Sequence, residues 1–150
     1  MRQLIDLSEF TFTGEKQLDL GALPNQIPLL YEDKKDYKNQ LEDFQERIHD
    51  LQNVMYAHNR YSLLIIFQAM DAAGKDGTIR NVLSGVNPHG LQIFAFKKPS
   101  SKELDHNYLW RTTVSFPERG RIGVFNRSYY EEVLVVKVHP EILTKYQFIP

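Results

Sequence analysis

An apolar run leads into small residues and then into a Gly-Lys pair at positions 64–78, which read LIIFQAMDAAGKDGT. Residues 61–68 predict a strand that is covered on both faces, as in a parallel sheet. A small-residue loop over 69–77 follows, and then a helix that begins near Thr78. In this order, backbone N–H groups and the helix N-terminus face an anion, and Lys75 meets its oxygens as a point charge. The segment therefore predicts a phosphate-binding loop.

The loop departs from the strict Walker A pattern at two positions. Ala69 stands where the first glycine is expected, and Asp76 stands where a serine or threonine would hold Mg²⁺. The strand before the loop and the helix after it supply the context that the motif requires, so the segment is still interpreted as a phosphate-binding loop. The candidate phosphate-binding residues of the loop are Ala72, Ala73, Gly74, Lys75, Asp76, Gly77 and Thr78.

Asp71 places a carboxylate inside this loop. A carboxylate repels a phosphate unless a divalent cation lies between them, and Mg²⁺ is the cation that suits oxygen ligands and phosphates. The alternative is a loop aspartate whose side chain makes an Asx turn. We expect Asp71 to be a metal-binding catalytic residue, with Mg²⁺ as the cofactor.

The rest of the chain alternates helices with strands. Such alternation implies right-handed βαβ units and a parallel sheet, so the fold class is α/β. The valines at 133, 135 and 136 leave a strand possible in the last helical segment. We predict an irregular N-terminal arm over 1–36 and one α/β domain over 37–150, with helices at 37–58, 100–112 and 130–138 and further strands at 91–96 and 121–125.

Composition limits the classes of protein that this chain can represent. Its 150 residues are 42% hydrophobic and 25% charged, which is ordinary for a folded domain. It has no cysteine, which favours a reducing compartment, and we expect a cytoplasmic protein. Residues 1–74 hold 7 basic and 12 acidic side chains, whereas residues 75–150 hold 11 and 7. The basic excess in the second half is either ordinary surface variation or a place where an anion binds.

A second polar group follows the third predicted strand, at Phe125-Asn126-Arg127-Ser128. It falls at the carboxyl edge of the sheet, where α/β folds bind their ligands. There Arg127 can clamp a phosphoryl group as a catalytic residue, and Asn126 can orient a water or a metal ion. Glu131 and Glu132 lie one turn further on, and as a charged pair on a helix surface they need no functional explanation.

Taken together, these segments resemble the polyphosphate kinase type 2 family. The likeness spans residues 30–140 and is most specific at Asp-Ala-Ala-Gly-Lys (71–75) and Phe-Asn-Arg-Ser-x-Tyr-Glu (125–131). The resemblance implies a P-loop kinase-like three-layer sandwich, in which helices flank a parallel sheet and a helical lid closes over the site. It also implies that Asp71 engages Mg²⁺ and phosphates, that Lys75 is the loop lysine, and that Arg127 is the clamp.

One departure bears on the metal site. Many members of the family carry aspartate where this chain has Asn126, and the variant found here resembles the subgroup that phosphorylates both AMP and ADP. Glu131 or Glu132 would then supply the missing negative charge, and we expect Glu131 to do so. Further anion contacts are predicted at Arg80, Lys97, Lys98 and Arg111. Family members run well past residue 150, so we expect a chain truncated at its C-terminus that lacks the lid.

The resemblance predicts a transferase that moves phosphoryl groups between inorganic polyphosphate and adenine nucleotides. The alternatives are an ATP-dependent small-molecule kinase on the same loop, and a lidless fragment that binds nucleotide or polyphosphate without turnover. The expected partners are polyphosphate, AMP, ADP and further copies of the chain in a homo-oligomer. We expect neither nucleic acid nor a membrane among them, since the pI is about 6.5 and the longest apolar run is short.

Overall fold

A computed structural model describes residue 8 and residues 11–15, 17–23 and 29–141 of the chain. These residues divide into two compact units, 1–40 and 41–150. In the first unit, a 3₁₀ turn at Leu20–Ala22 is capped by Asp19, whose carboxylate accepts a hydrogen bond from the Gly21 amide at 2.9 Å. The Asp33 carboxylate accepts hydrogen bonds from the backbone amides of Lys35 and Asp36 at the start of the first long helix. The part of the predicted arm before residue 29 lies largely outside the described residues.

Helices and strands alternate from residue 34 onward, as expected from the sequence. The helices are α1 (Lys34–His58), α2 (Lys75–Val82), α3 (Ser101–Leu104), α4 (Trp110–Thr113) and α5 (Tyr130–Val138), and the strands are β1 (Leu63–Phe67), β2 (Leu91–Ala95) and β3 (Ile122–Asn126).

The three strands form one parallel sheet in the order β1-β3-β2. Ile65 of β1 and Ile93 of β2 both stand opposite Val124 of β3, so the last of the three described strands is the central one. This confirms the predicted α/β class with a parallel sheet. The expectation that β1 is covered on both faces was wrong, because β1 lies at the edge of the described sheet and Leu63 and Ile66 are exposed. The strand buried on both faces is β3.

One face of the sheet carries the aliphatic core. Ile122 and Val124 of β3 pack against Ile79 of α2 and against Leu83 and Val86, which follow it. Partly buried side chains of α1, including Ile48 and Met55, surround this cluster. Five apolar residues of α1 recur at the three- and four-residue spacing that predicts one buried helix face: Leu41, Phe44, Ile48, Leu51 and Met55. Ile48 and Met55 pack against the core, whereas Phe44 and Leu51 are exposed, so the predicted face is buried only in part.

The opposite face is aromatic. Phe125 is fully buried and makes edge contacts with Phe96, at 4.8 Å between ring centroids, and with Phe94, while Phe116 stacks on it at 6.1 Å. Beside Phe125, Gly123 lies so near Pro117 that a Cβ atom there would come within 2.8 Å of the proline ring. The segment that follows α4 thus lies directly on the sheet.

The predicted helix over 100–112 was wrong in its length. Its start is correct, since the Ser100 hydroxyl and the Glu103 carboxylate form the reciprocal capping box that their spacing predicts. The helix ends after one turn, at Leu104. The Asn107 side chain then accepts a hydrogen bond from the Leu109 amide, and this local turn competes with continuation of the helix. The next helix, α4, begins only at Trp110.

No helix in the described part of the chain is both long and apolar enough to cross a membrane.

Candidate active site

The candidate site forms where β1 and β3 end side by side. Phe67 and Asn126 are paired at the last register position, and the Arg127 amide donates to the Phe67 carbonyl at 2.9 Å. The loop after β1 and the loop after β3 therefore lie next to each other at the carboxyl edge of the sheet, although about 60 residues of chain separate them. This is the edge at which α/β folds bind ligands.

The loop after β1 turns through two left-handed residues. Ala72 has φ of 62° and Gly74 has φ of 86°. Gly74 caps α2, which begins at Lys75, three residues earlier than the sequence predicted. The earlier start brings the α2 N-terminus directly to the loop, where its free backbone N–H groups favour an anion.

Lys75 is folded back over the loop. Its Nζ donates to the Ala69 carbonyl at 2.7 Å and to the Met70 carbonyl at 2.8 Å. These contacts hold the ammonium group beside the backbone of the loop, and an ammonium has a third proton available for a phosphate oxygen. The residue is half-buried, so it can reach a ligand without leaving the loop.

Arg127 joins the two loops. It has φ of 67°, which is uncommon for a residue with a side chain. Its guanidinium forms an ion pair with Asp71 of the first loop, and Nη1 lies 3.9 Å from the Glu131 Oε2 in α5. The Asn126 amide donates to the Asp76 carboxylate in the same region. The structure thus brings together Asp71, Lys75, Asp76, Asn126, Arg127 and Glu131, six of the predicted site residues.

Two residues that the sequence reasoning did not assign complete this arrangement. Gln68, directly after β1, donates from Nε2 to the Glu131 Oε1 at 2.8 Å and accepts from the Ser128 hydroxyl at 3.1 Å. Ser128 is almost completely buried, and its hydroxyl also caps the Tyr130 amide at the start of α5. Both lie inside the segments already singled out, and a polar residue within two positions of the end of a strand is the feature that could have identified them.

The start of α5 also carries an aromatic pair. The rings of Tyr129 and Tyr130 stack at 4.8 Å between centroids. The hydrogen bond that the Tyr129 hydroxyl makes to Tyr130 raises the pKa of the Tyr129 phenol above its ordinary value.

Arg111 lies apart from this group. It is buried, donates from Nη2 to the Lys97 carbonyl at 2.7 Å, and forms ion pairs with Glu103 at 3.4 Å and Glu132 at 3.8 Å. The other predicted anion contacts, Arg80, Lys97 and Lys98, are exposed side chains on the surface. An anion-binding role for these four residues stays a prediction.

The oxygen donors of the site fit a metal that is shared with a substrate. Among the described residues, no three His, Cys, Asp or Glu side chains are grouped to hold a metal ion. Mg²⁺ usually keeps several waters and is bound through one or two carboxylates together with substrate phosphates. Asp71, which is mostly exposed on the loop, is a donor of this kind.

Comparison with known proteins agrees with the geometry. The family model described as polyphosphate kinase 2 (PPK2) matches residues 31–147. An ADP-polyphosphate phosphotransferase of Rhodopseudomonas palustris is 62% identical over 130 residues, which are 87% of this chain and 45% of that protein. An AMP/ADP-polyphosphate phosphotransferase of Meiothermus ruber is 49% identical over 92 residues, 61% of this chain and 34% of that protein.

A solved structure shows the same fold. The crystal structure of polyphosphate kinase 2 from Arthrobacter aurescens TC1 superposes with a TM-score of 0.77 at 35% identity, over 87% of this chain and 47% of that one. The chain thus spans less than half the length of these relatives. The match over most of its residues, the shared fold and the two adjoining loops lead to one conclusion: this chain belongs to the polyphosphate kinase 2 family.

Proposed function

We propose that the chain carries the phosphate-binding centre of a phosphotransferase that moves phosphoryl groups between inorganic polyphosphate and the adenine nucleotides AMP and ADP. The observation that carries this proposal is the ion pair between Arg127 and Asp71, with Lys75 on the same loop, because it unites the two loops around one anion-binding position. The names of the relatives from R. palustris and M. ruber support the substrate class.

In the proposed reaction, a phosphate oxygen of the nucleotide attacks the terminal phosphorus of polyphosphate. One P–O bond forms to the nucleotide while the anhydride P–O bond to the remaining polyphosphate breaks, and the shortened chain leaves with the electron pair. Such transfers need little covalent chemistry from the protein, so positioning and charge neutralisation supply most of the rate.

The residues of the site divide this work. Lys75 and Arg127 neutralise the charge on the transferring group, and the α2 N-terminus binds phosphate oxygens through its backbone N–H groups. Asp71 would hold Mg²⁺, which would supply positive charge to neutralise the phosphates. Glu131 accepts a hydrogen bond from Gln68 and lies near Arg127, which supports it as the carboxylate that adds the negative charge that Asn126 lacks.

The test is a turnover assay with polyphosphate, Mg²⁺ and AMP, ADP or GDP in turn. The proposal requires phosphorylation of AMP or ADP at the expense of polyphosphate. Replacing polyphosphate by ATP as the donor separates it from a conventional ATP-dependent kinase. Mg²⁺-dependent binding of polyphosphate without any turnover would instead identify a binding fragment. The homo-oligomer and the cytoplasmic location stay predictions.

A further inference from the structure

A chain of three hydrogen bonds joins the residue after β1 to the first turn of α5. The Tyr130 amide donates to the Ser128 hydroxyl at 3.2 Å, and this hydroxyl donates to the Gln68 Oε1 at 3.1 Å. The Gln68 Nε2 in turn donates to the Glu131 Oε1 at 2.8 Å. Gln68 and Glu131 are 63 positions apart in the sequence, so the chain of bonds ties together two distant segments.

The chemistry of the groups determines the direction of each bond. An ionised carboxylate accepts and does not donate, so the Gln68 amide must turn its nitrogen to Glu131 and its oxygen to Ser128. The Ser128 hydroxyl then donates its single proton to Gln68 and accepts the Tyr130 amide on its oxygen. Position 68 therefore requires a side chain of this length that ends in both a donor and an acceptor.

The surroundings of Gln68 hold its amide in place. The preceding residue, Phe67, accepts the Arg127 amide on its carbonyl at 2.9 Å, at the last register position of β1 and β3. Ser128 is only 2% exposed, and a hydrogen bond that is shielded from water is stronger than one in solvent. The Gln68 amide is thus supported from the strand before it and from the buried serine beside it.

Glu131 is held by one carboxylate oxygen and presents the other. Its Oε1 accepts from Gln68 at 2.8 Å, whereas its Oε2 lies 3.9 Å from Arg127 Nη1, which is within ion-pair distance but too long for a hydrogen bond. The contact with Gln68 is therefore the one that orients the carboxylate. Orientation affects the rate, because a charged group that is fixed beforehand needs no reorganisation during the reaction.

We propose that Gln68 is a positioning residue for phosphoryl transfer, which fixes the Glu131 carboxylate beside Arg127. The inference rests on the proposed function, in which Glu131 adds negative charge to the site. Gln68 acts through Glu131, since its hydrogen bonds are to Glu131 and to Ser128.

The first test is the kinetics of Gln68→Met, which keeps the length of the side chain and removes both hydrogen bonds. With polyphosphate as the donor, it is expected to lower kcat for AMP and ADP several-fold, at most by the roughly tenfold expected of Glu131→Gln, and to leave KM for the nucleotide near the parental value. Gln68→Asn keeps the amide but ends one methylene short of Glu131, and kcat should fall in the same way. It keeps the test valid if Gln68→Met does not fold.

Gln92→Met is the matched control. Gln92 lies on β2 of the same sheet, and its Oε1 accepts the Glu118 amide at 3.2 Å. This variant therefore loses a hydrogen bond of a similar kind outside the candidate active site, and its kcat should be parental. Urea unfolding of every variant shows how much of any change comes from stability.

The double variant that combines Gln68→Met with Glu131→Gln shows whether Gln68 acts through Glu131. Adding Gln68→Met to Glu131→Gln should lower kcat no further, because the carboxylate that Gln68 positions is already absent. A residue that only supports the fold would lower kcat by the same factor in both backgrounds.

A second readout does not require turnover. The NMR signal of the Arg127 Nε–H group, assigned by its absence in Arg127→Lys, should shift in Gln68→Met because the neighbouring carboxylate moves. It should not shift in Gln92→Met. When Gln68→Met is added to Glu131→Gln, the shift should be much smaller, because the side chain at 131 no longer carries a charge.

The inference is overturned if Gln68→Met and Gln68→Asn both have parental kcat, if Gln68→Met lowers kcat equally with and without the Glu131 carboxylate, or if the Arg127 signal does not shift. Any of these results in a parent chain that phosphorylates AMP or ADP leaves the proposed function intact. A parent chain without turnover counts against the proposed function, and the Arg127 signal then decides whether Gln68 positions Glu131.

Discussion

Glu131 and Glu132 are neighbours in α5, yet they contact different arginines. Glu131 Oε2 lies 3.9 Å from Arg127 Nη1, whereas Glu132 Oε1 lies 3.8 Å from Arg111 Nη1. The divergence follows from helix geometry, since adjacent side chains point about 100° apart. One helical turn therefore supplies one carboxylate to the candidate active site and another to the buried guanidinium of Arg111.

Replacing each glutamate by glutamine should separate the two roles. Glu131→Gln is expected to lower kcat for AMP and ADP by roughly tenfold, which corresponds to about 1.4 kcal/mol on the barrier. Glu132→Gln should instead leave kcat close to that of the parent, because Glu132 pairs with Arg111, which lies apart from the candidate active site. Steady-state kinetics with polyphosphate as the donor measures both. Near-parental values for both variants would leave Asn126, with a bound water, as the better candidate for the metal-site residue.

Lys75→Ala should abolish turnover and leave the fold intact. The ammonium group donates hydrogen bonds to the Ala69 and Met70 carbonyls of the loop, and Lys75 is not a member of the hydrophobic core, so its loss removes a ligand contact and no core packing. Turnover and the thermal midpoint are the two measurements. Lys38→Ala, which changes an exposed lysine of α1, is the matched control. A folded Lys75→Ala variant with full activity would show that the Gly-Lys pair is only a turn.

Asp71→Asn should reduce Mg²⁺-dependent activity far more than it reduces stability. Its carboxylate is 84% exposed, and an exposed ion pair such as that with Arg127 contributes at most about 1 kcal/mol. The rate is measured against Mg²⁺ concentration, and unfolding is followed in parallel. Glu118→Gln, which breaks the surface pair with Arg121, gives the baseline for losing such a contact. A variant that melts many degrees lower at an undiminished rate would make Asp71 a structural turn residue.

Ser100→Ala should destabilise the protein by about 1 kcal/mol near neutral pH, because it removes the N-cap of α3. Hydrogen bonds from the Ser100 backbone and then from its hydroxyl hold the pKa of Glu103 below its ordinary value. A lowered pKa in the folded state stabilises the fold above the pKa of the unfolded state, and this contribution is lost as pH falls.

The difference in the free energy of unfolding between Ser100→Ala and the parent should therefore shrink as the pH falls below about 4, where glutamate ordinarily protonates. Urea unfolding at a series of pH values measures it. Ser101→Ala changes the adjacent exposed serine, which is not the cap, and should show neither the loss nor its pH dependence. If Ser100→Ala loses the same free energy of unfolding at every pH, the hydrogen bond to Glu103 is not the cause of that loss.

Local patterns predicted the elements well because short-range physics determines them. The Ser100–Glu103 spacing predicted the capping box, and the apolar spacing of α1 predicted a helix that packs on the core through Ile48 and Met55. What the sequence could not show was pairing over long distances. The burial of Arg111 between Glu103 and Glu132, and the Gln68–Ser128–Glu131 contacts, depend on strand order and on which side chains meet across it. The break at Asn107 was missed because a side-chain turn competed with helix propensity.

The strand order has a consequence for how the chain is synthesised. Within the described sheet, β1 and β2 each pair with β3 and not with each other, and β3 begins only at Ile122. A chain that emerges from the ribosome N-terminus first therefore exposes two apolar segments before the partner of either exists. In that interval neither segment can satisfy its backbone in the native sheet, and association with other nascent chains competes with folding. The arrival of β3 joins the three strands of the described sheet and, in the same step, brings Arg127 beside the loop that carries Asp71.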